Sequence, residues 1–290
     1  MTVLGAVFVP QLPPERLRAV AIAADDAGVE ELWLWEDCFL ESGIANAAVA
    51  LAATTRIRVG LGLLPAPLRN VALTAMEAAT LERMFPGRLH LGVGHGVQEW
   101  MQQAGGRVES PVTLLREYVV ALRGLLSGER VSVDGRYVKL DDVALGWPPA
   151  SAPDIFTGAA GPRSLRLSGE ISDGTVITAG TSPAQLAQLR RVIDKGRNLY
   201  DFSRPHRLVV YVHAATGSRA AERLEAERVR WKYESMTDVG VAGDAAAVAA
   251  AVQRWAEAGA DTVVLQPTPD DPDIAGFMRF VGTQVRPLVS

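Results

Sequence analysis

The chain has 290 residues, 48% of them hydrophobic and 21% charged, a balance that excludes intrinsic disorder and suits one or two globular domains. Its formal charge of −4, from 29 basic and 33 acidic residues with no basic run, excludes a nucleic-acid interface built on clustered Lys and Arg. The one cysteine, Cys38, rules out an internal disulfide, the uncharged stretch 43–55 is shorter than the roughly 20 residues of a membrane span, and no basic residue precedes Arg16 to start a secretion signal, so a reducing cytoplasm is the expected location.

In chain order, short apolar runs rich in branched residues recur at 4–9, 31–35, 57–63, 89–93, 154–156, 175–178, 208–212 and 262–265, each bounded by turn residues; they predict eight buried strands. Helical patterns lie between them. Leu115, Tyr118, Val119, Leu122, Leu125 and Leu126 paint one apolar stripe on a helix closed by Ser127 and Gly128, and Val248, Val252, Trp255 and Ala256 mark another that ends at Gly259. Strands apolar on both faces argue a parallel sheet covered by helices, and eight strand–helix units favour a closed (β/α)8 TIM barrel over an open doubly wound sheet. The interval between the fourth and fifth runs exceeds one helix and holds SVDGRYVKL, which reads as a hairpin turning at Asp134 and Gly135. It is predicted to be an insertion, approximately 97–150, within a single domain spanning 1–290.

In a parallel barrel the reacting groups follow the carboxyl ends of the strands. The second run exits through Glu36, Asp37 and Cys38, the third through Gly62, Leu63, Leu64 and Pro65, and the fourth through Gly94, His95, Gly96, Val97 and Gln98. The fifth exits through Gly158, Ala159, Ala160 and Gly161. This inventory is poor in nucleophiles. His90 and His213 fall inside strands and His206 just before one, so no histidine pair stands at metal-ligand spacing and no metal site is expected. Adjacent Glu36 and Asp37 point in different directions, against a glycosidase pair, and Lys139, Lys195 and Lys232 stand in polar or helical contexts, against Schiff-base chemistry.

Glycine and small residues at strand exits let backbone N–H groups approach a phosphate or a flat ring. Taken singly, such glycines are ordinary turn residues. Two rich exits on neighbouring strands, Gly92, Gly94 and Gly96 on one and 158–161 on the other, with Pro162 placed to open a helix, predict an anion site of free amides and a helix dipole. A site that binds well but lacks reactive groups of its own implies a cofactor that carries the chemistry. Asp37, a carboxylate ending an apolar strand, is a candidate functional group. His95 is a candidate for proton transfer or for lining the pocket, Cys38 reads first as a small buried filler, and Trp100 and Met101 read as lid or packing residues, packing being favoured for Met101.

The stretches WLWEDCF, GLGLLPAPLRN, ERMFPGRLHLGVGHGVQEW and GAAGPRSLRLSGEISDGTVIT, with the tail AEAGADTVVLQP, resemble the luciferase-like superfamily of flavin- and deazaflavin-dependent oxidoreductases. The resemblance implies a luciferase-like barrel with its redox cofactor at the carboxyl end: coenzyme F420, a 5-deazaflavin, with FMN as the alternative. It implies that Asp37 lies by the ring, with Asp37 and His95 as catalytic candidates and Cys38 and Trp100 as substrate contacts. The histidine common after that aspartate is Cys38 here, and the glutamate of the sugar-phosphate dehydrogenases is Val97. A bulge with a cis peptide between Gly62 and Leu63 is implied behind the ring. Phosphate-binding backbone is implied at His95, Gly96, Val97, Ala159, Ala160 and Gly161, with Gly158 beside it. The expected activity is F420-dependent hydride transfer with a small organic substrate, in a homodimer formed through the strand 2 and strand 3 side. An FMN-dependent monooxygenase and a non-catalytic flavin-binding barrel are the alternatives.

Overall fold

A computed structural model describes residues 2–198 and 205–289. In chain order the elements are β1 (Val3–Phe8), α1 (Leu17–Ala27), β2 (Glu31–Leu34), α2 (Gly43–Ala53), β3 (Arg58–Pro65), α3 (Val71–Met84), β4 (Leu89–Gly94), α4 (Gln98–Gln103) and α5 (Pro111–Leu126). There follow β5 (Val131–Asp134), β6 (Lys139–Val143), β7 (Asp154–Gly158), α6 (Pro162–Ile171), β8 (Gly174–Ile177), α7 (Pro183–Arg197), β9 (Arg207–Ala215), α8 (Ala220–Arg230), β10 (Gly240–Ala242), α9 (Ala245–Glu257), β11 (Thr262–Gln266) and α10 (Ile274–Phe280).

The eight runs read from the sequence are the eight strands of a closed parallel barrel. The ring runs β1–β2–β3–β4–β7–β8–β9–β11 and closes where β11 pairs with β1. Closure explains the sequence pattern: β2, β4, β8 and β11 are buried along their whole length, because helices cover one face and the barrel interior takes the other. The α5 stripe is buried as its spacing predicts. β9 outruns its neighbours, and its last residues, His213 to Ala215, pair with the short strand β10, which the sequence did not signal.

Between β4 and β7 lie α4, α5 and the antiparallel β5–β6 hairpin. The hairpin turns later than expected. Asp134 still pairs with Lys139, and the reversal is made by residues 135–138, closed by the Gly135 N–H donating to Val138 O. The cause is Glu117 of α5, whose carboxylate accepts from the N–H groups of Arg136, Tyr137 and Val138 and so fixes the turn from outside the hairpin.

Inside the barrel every second residue of a strand points inward. At the amino end this brings Glu31, His90 and Arg207 together: Arg207 Nη2 donates to Glu31 Oε1 at 2.7 Å, His90 Nε2 lies 3.2 Å from the same oxygen, and Trp33 Nε1 donates to Oε2 at 2.9 Å. Burial pushes the Glu31 carboxyl up, but the hydrogen bond and charge of His90, the charge of Arg207 and the Trp33 N–H outweigh it and hold the group at about 2. Trp33 fills the middle, edge-on to Phe156 and Tyr211, and any β-carbon on Gly60 would strike its ring. The barrel interior is thus filled from its amino end to its middle.

Candidate functional site

At the carboxyl end lies a cleft of about 370 Å³. Asp37, Cys38, Gly62, Leu63, His95, Gly96, Val97, Trp100, Gly158, Ala159, Ala160 and Gly161, every site residue expected from the sequence, line it together, with Glu36, Met101 and Thr178. A larger cleft of about 540 Å³ opens at the amino end beside Arg58, Glu82, His90 and Arg207. It is the weaker candidate: His90 and Arg207 there are committed to Glu31, and the strands present their amino ends.

The exit of β2 separates its two acids, as adjacent positions require. Glu36 turns away to Arg69, which grips it through Nε at 3.0 Å and Nη2 at 3.2 Å, while Oε2 accepts the Gly43 N–H at the start of α2. Asp37 has no ion-pair partner among the described residues, and burial raises its carboxyl above the ordinary value. Burial, then the charges of Glu36 and Asp37, likewise push the Cys38 thiol up, which disfavours a thiolate nucleophile. The Cys38–Phe39 peptide is cis, which the sequence did not signal.

The exit of β3 carries the expected bulge. The Gly62–Leu63 peptide is cis, and the β3–β4 register shifts between Leu61 and Leu64. The bulge sends the Leu63 side chain over β4 and β7, where a β-carbon on Gly92, Gly94 or Gly158 would collide with it. Gly94 and Gly158 thus leave room for Leu63, while at Gly92 a β-carbon would first strike the Leu61 carbonyl oxygen of the neighbouring strand, 2.0 Å away.

Gly161 is different. It is the N-cap of α6 and lines the cleft, nothing stands within 4 Å of where its β-carbon would be, and no side chain caps the helix. Its backbone is extended, with φ −84°, so neither conformation nor packing within the protein requires glycine there. Gly96 needs glycine for both reasons, with φ +68° and the Met101 sulfur 2.6 Å from a notional β-carbon. Met101 is fully buried, as packing predicts. His95 Nδ1 lies 3.0 Å from the Gly96 carbonyl; a carbonyl only accepts, so Nδ1 carries the proton and Nε2 is the acceptor of the neutral ring. α4, beginning beside Val97, also lacks a side-chain cap, as do α1, α5 and α8, whereas α2, α3, α7, α9 and α10 have one. Arg163 is exposed.

Sequence reading missed two aromatic groups beside this cleft. The Tyr211 hydroxyl lies against Gly62 and its ring meets that of Trp35 at 5.5 Å, and the inward phase of β9 becomes legible only once the barrel is closed. Among the described residues no three His, Cys, Asp or Glu side chains are arranged to hold a metal ion, and no helix is long and apolar enough to cross a membrane.

Residues 3–262 match the family model of the luciferase-like monooxygenases. The chain is 33% identical over 175 residues to 5,10-methylenetetrahydromethanopterin reductase of Methanolobus tindarius, covering 60% of this chain and 53% of that protein. It is 31% identical over 215 residues to F420-dependent glucose-6-phosphate dehydrogenase of Nakamurella multipartita, covering 65% and 61%. The chain thus spans between about half and three fifths of the length of these curated relatives. In fold it is similar to an F420-dependent secondary alcohol dehydrogenase in complex with an F420–acetone adduct, with TM-score 0.87, 22% identity and both chains covered in full. It is also similar to the FMN-bound oxygenating constituent of 3,6-diketocamphane monooxygenase of Pseudomonas putida, with TM-score 0.79, 17% identity, and 100% and 99% covered.

Proposed function

The chain belongs to the luciferase-like monooxygenase family, and on that premise we propose that it is a coenzyme F420-dependent oxidoreductase acting on a small organic substrate. The observation that carries this is one cleft in which the Gly62–Leu63 bulge stands with the uncapped, unobstructed N-terminus of α6. A flat ring needs the first and an anionic tail the second. The residues present therefore fit the group. Leu63 and Gly62 would support the ring, Asp37 would lie at its side, and the amides of residues 95–97 and 159–161 would hold the phosphate. Cys38 and Trp100 would border the substrate. When bound, the deazaflavin supplies two-electron hydride chemistry. The protein contributes orientation and a water-poor wall, with Asp37 and the His95 imidazole as the proton-handling groups of the cleft.

We read 1–290 as one domain whose stretch 97–150 is an insertion, and the lone Cys38 fits a cytoplasmic setting. The α3 face exposes Leu73, Met76 and Met84 at helical spacing, with Val49 of α2 also exposed. Such a stripe on the β2–β3 side supports a homodimer.

Titration with F420 and with FMN, read by fluorescence, tests the cofactor. Saturable F420 binding at least tenfold tighter than FMN is expected. Tighter FMN binding with oxygen consumption would replace this reading by a monooxygenase, which the fold likeness to the FMN-bound enzyme favours. F420 binding without turnover on any carbonyl or alcohol would leave a non-catalytic barrel.

A further inference from the structure

Arg69 follows the exit of β3 and stands behind the cleft wall, outside the cleft itself. Its guanidinium joins two other elements to that exit. Nε and Nη2 grip Glu36 at the exit of β2, at 3.0 and 3.2 Å, and Nη1 donates to Glu77 of α3 at 2.7 Å. Glu36 in turn accepts the first N–H of α2, from Gly43, at 2.7 Å. That helix start is pressed against both strands: a β-carbon on Gly43 would stand 3.0 Å from Leu64, 3.3 Å from Leu61 and 3.4 Å from Glu36. Burial pulls the Arg69 guanidinium down, but the hydrogen bond and charge of Glu36 and the charge of Glu77 outweigh it, so the clamp stays charged.

The strand exits that this clamp joins carry the two features proposed to flank the ring. β3 carries the Gly62–Leu63 bulge, and Asp37 follows Glu36 directly. Asp37 lies in the stretch 35–42, which is neither strand nor helix. Among the described residues no ion pair holds its side chain, and burial alone governs its carboxyl. Its place is therefore set through the backbone, and the adjoining residue anchored by its side chain is Glu36. We propose that Arg69 is the positioning residue of the cleft, fixing Asp37 against the Gly62–Leu63 bulge through Glu36.

The chemistry of the clamp explains why arginine stands there. A planar guanidinium grips one carboxylate in bidentate fashion and still has a donor for a second, whereas an ammonium is a point charge that does not reproduce the fork. The pair is also unlike the exposed ion pairs of this protein, which contribute little: the side chains of Arg69 and Glu36 are 13% and 15% exposed, against 63% and 69% for Arg130 and Asp142. A clamp of similar build stands at the opposite end of the barrel. There Arg123 grips Asp173 at 3.0 and 3.3 Å and the Ile171 carbonyl at 3.1 Å, with no part in the cleft.

The role given to Asp37 rests on the proposed function, but its placement is measurable without cofactor. Protein labelled with 13C-aspartate is titrated, the Asp37 carboxyl signal being assigned through Asp37→Asn. Because burial raises that carboxyl, its midpoint reports how far water is kept from it. Arg69→Lys keeps the charge and loses the fork, so the Asp37 midpoint should fall toward the ordinary aspartate value by roughly half a pH unit or more. F420 should then bind about five- to tenfold more weakly, the scale of one hydrogen bond. Arg123→Lys, the same exchange at the other clamp, should lower the melting temperature and move neither. An unmoved Asp37 in Arg69→Lys, an equal movement in Arg123→Lys, or unchanged F420 affinity although Asp37 has moved would overturn the proposal and leave Arg69 a structural residue. If Arg69→Lys fails to fold, Glu36→Gln combined with Arg69→Met, which also leaves the summed local charge unchanged, decides by the same titration. A displaced Asp37 midpoint in a chain whose parent binds neither F420 nor FMN would sink the cofactor reading and keep the clamp; tight F420 binding with Asp37 unmoved would sink the clamp alone.

Discussion

Tyr211 holds its hydroxyl where the β-carbon of any residue other than glycine would stand at position 62. One strand of the barrel thereby fixes the residue type on another, at the wall of the cleft. Gly62→Ala should destabilise the fold by about 1–3 kcal/mol, the usual range for overpacking, measured as a fall in the urea midpoint. Tyr211→Phe in that background should return a good part of the loss, because it removes the colliding oxygen. Equal losses in the single and double variants would show that the oxygen is not the obstacle.

Asp37→Asn should separate function from stability. Burial raises this carboxyl and no cation offsets it, so the charged form opposes folding at neutral pH. For an acid whose folded pKa lies above its unfolded one, stability falls as pH rises through that interval, and the neutral isostere escapes the penalty. An equal or higher melting temperature is expected, with turnover reduced at least tenfold. A sharp drop in melting temperature with turnover intact would make Asp37 a structural residue.

The eight strands were legible because a barrel strand is buried on both faces, which leaves continuous apolar runs such as those in β1 and β11. Their inward phase was not, because it depends on closure. Glu31, His90 and Arg207 meet only when three strands distant in sequence face one interior, so the charged plug had no local signal. Gly94 and Gly158 were visible as glycines, but the side chain they make room for, Leu63, reaches them through a bulge that no run of residues announces. The bulge itself was expected only through the family resemblance.

Acid should weaken the fold in two stages. Burial, with nearby arginine charge, depresses His206 and His213 from 6.5 to about 4, so their neutral forms belong to the folded state. Their contribution is complete above pH 6.5 and falls as pH drops toward 4, by about 3 kcal/mol for each at most. Glu31, held at about 2, adds a second loss as pH falls from 4.5 toward 2. Urea unfolding across this range should show both stages, and His206→Gln should reduce the first by about half, leaving the part due to His213, without touching the second. A first stage unchanged in that variant would remove His206 from the account.

Met76→Asp should dissociate the proposed dimer. Met76 is 58% exposed and lies on the same α3 face as Leu73 and Met84, so a charge there costs the monomer little and an apolar interface much. Light scattering after size exclusion should report a dimer for the parent chain and a monomer for the variant, with similar melting of the monomer fold. A parent chain that is monomeric at every concentration tested would end the dimer reading.

Gly161→Val addresses the anion site. The position has an ordinary negative φ and open space around it, so valine should leave the unfolding free energy within about 0.5 kcal/mol of the parent. The same side chain would project beside the uncapped first turn of α6, where the amides that border the cleft are the donors proposed for the cofactor's phosphate. Blocking close approach should forfeit one or two charge-assisted hydrogen bonds, about 1–3 kcal/mol, or roughly five- to 150-fold in affinity for F420. Because both F420 and FMN carry a phosphate, calorimetric titration should show whichever of them binds the parent chain weakened in the variant. Gly105→Val, a positive-φ turn with nothing within 4 Å, is the matched control that should change stability but not affinity. Unchanged affinity in Gly161→Val would place the phosphate away from α6 and leave the Gly62–Leu63 bulge as the remaining structural argument for how a flavin-like ring is held.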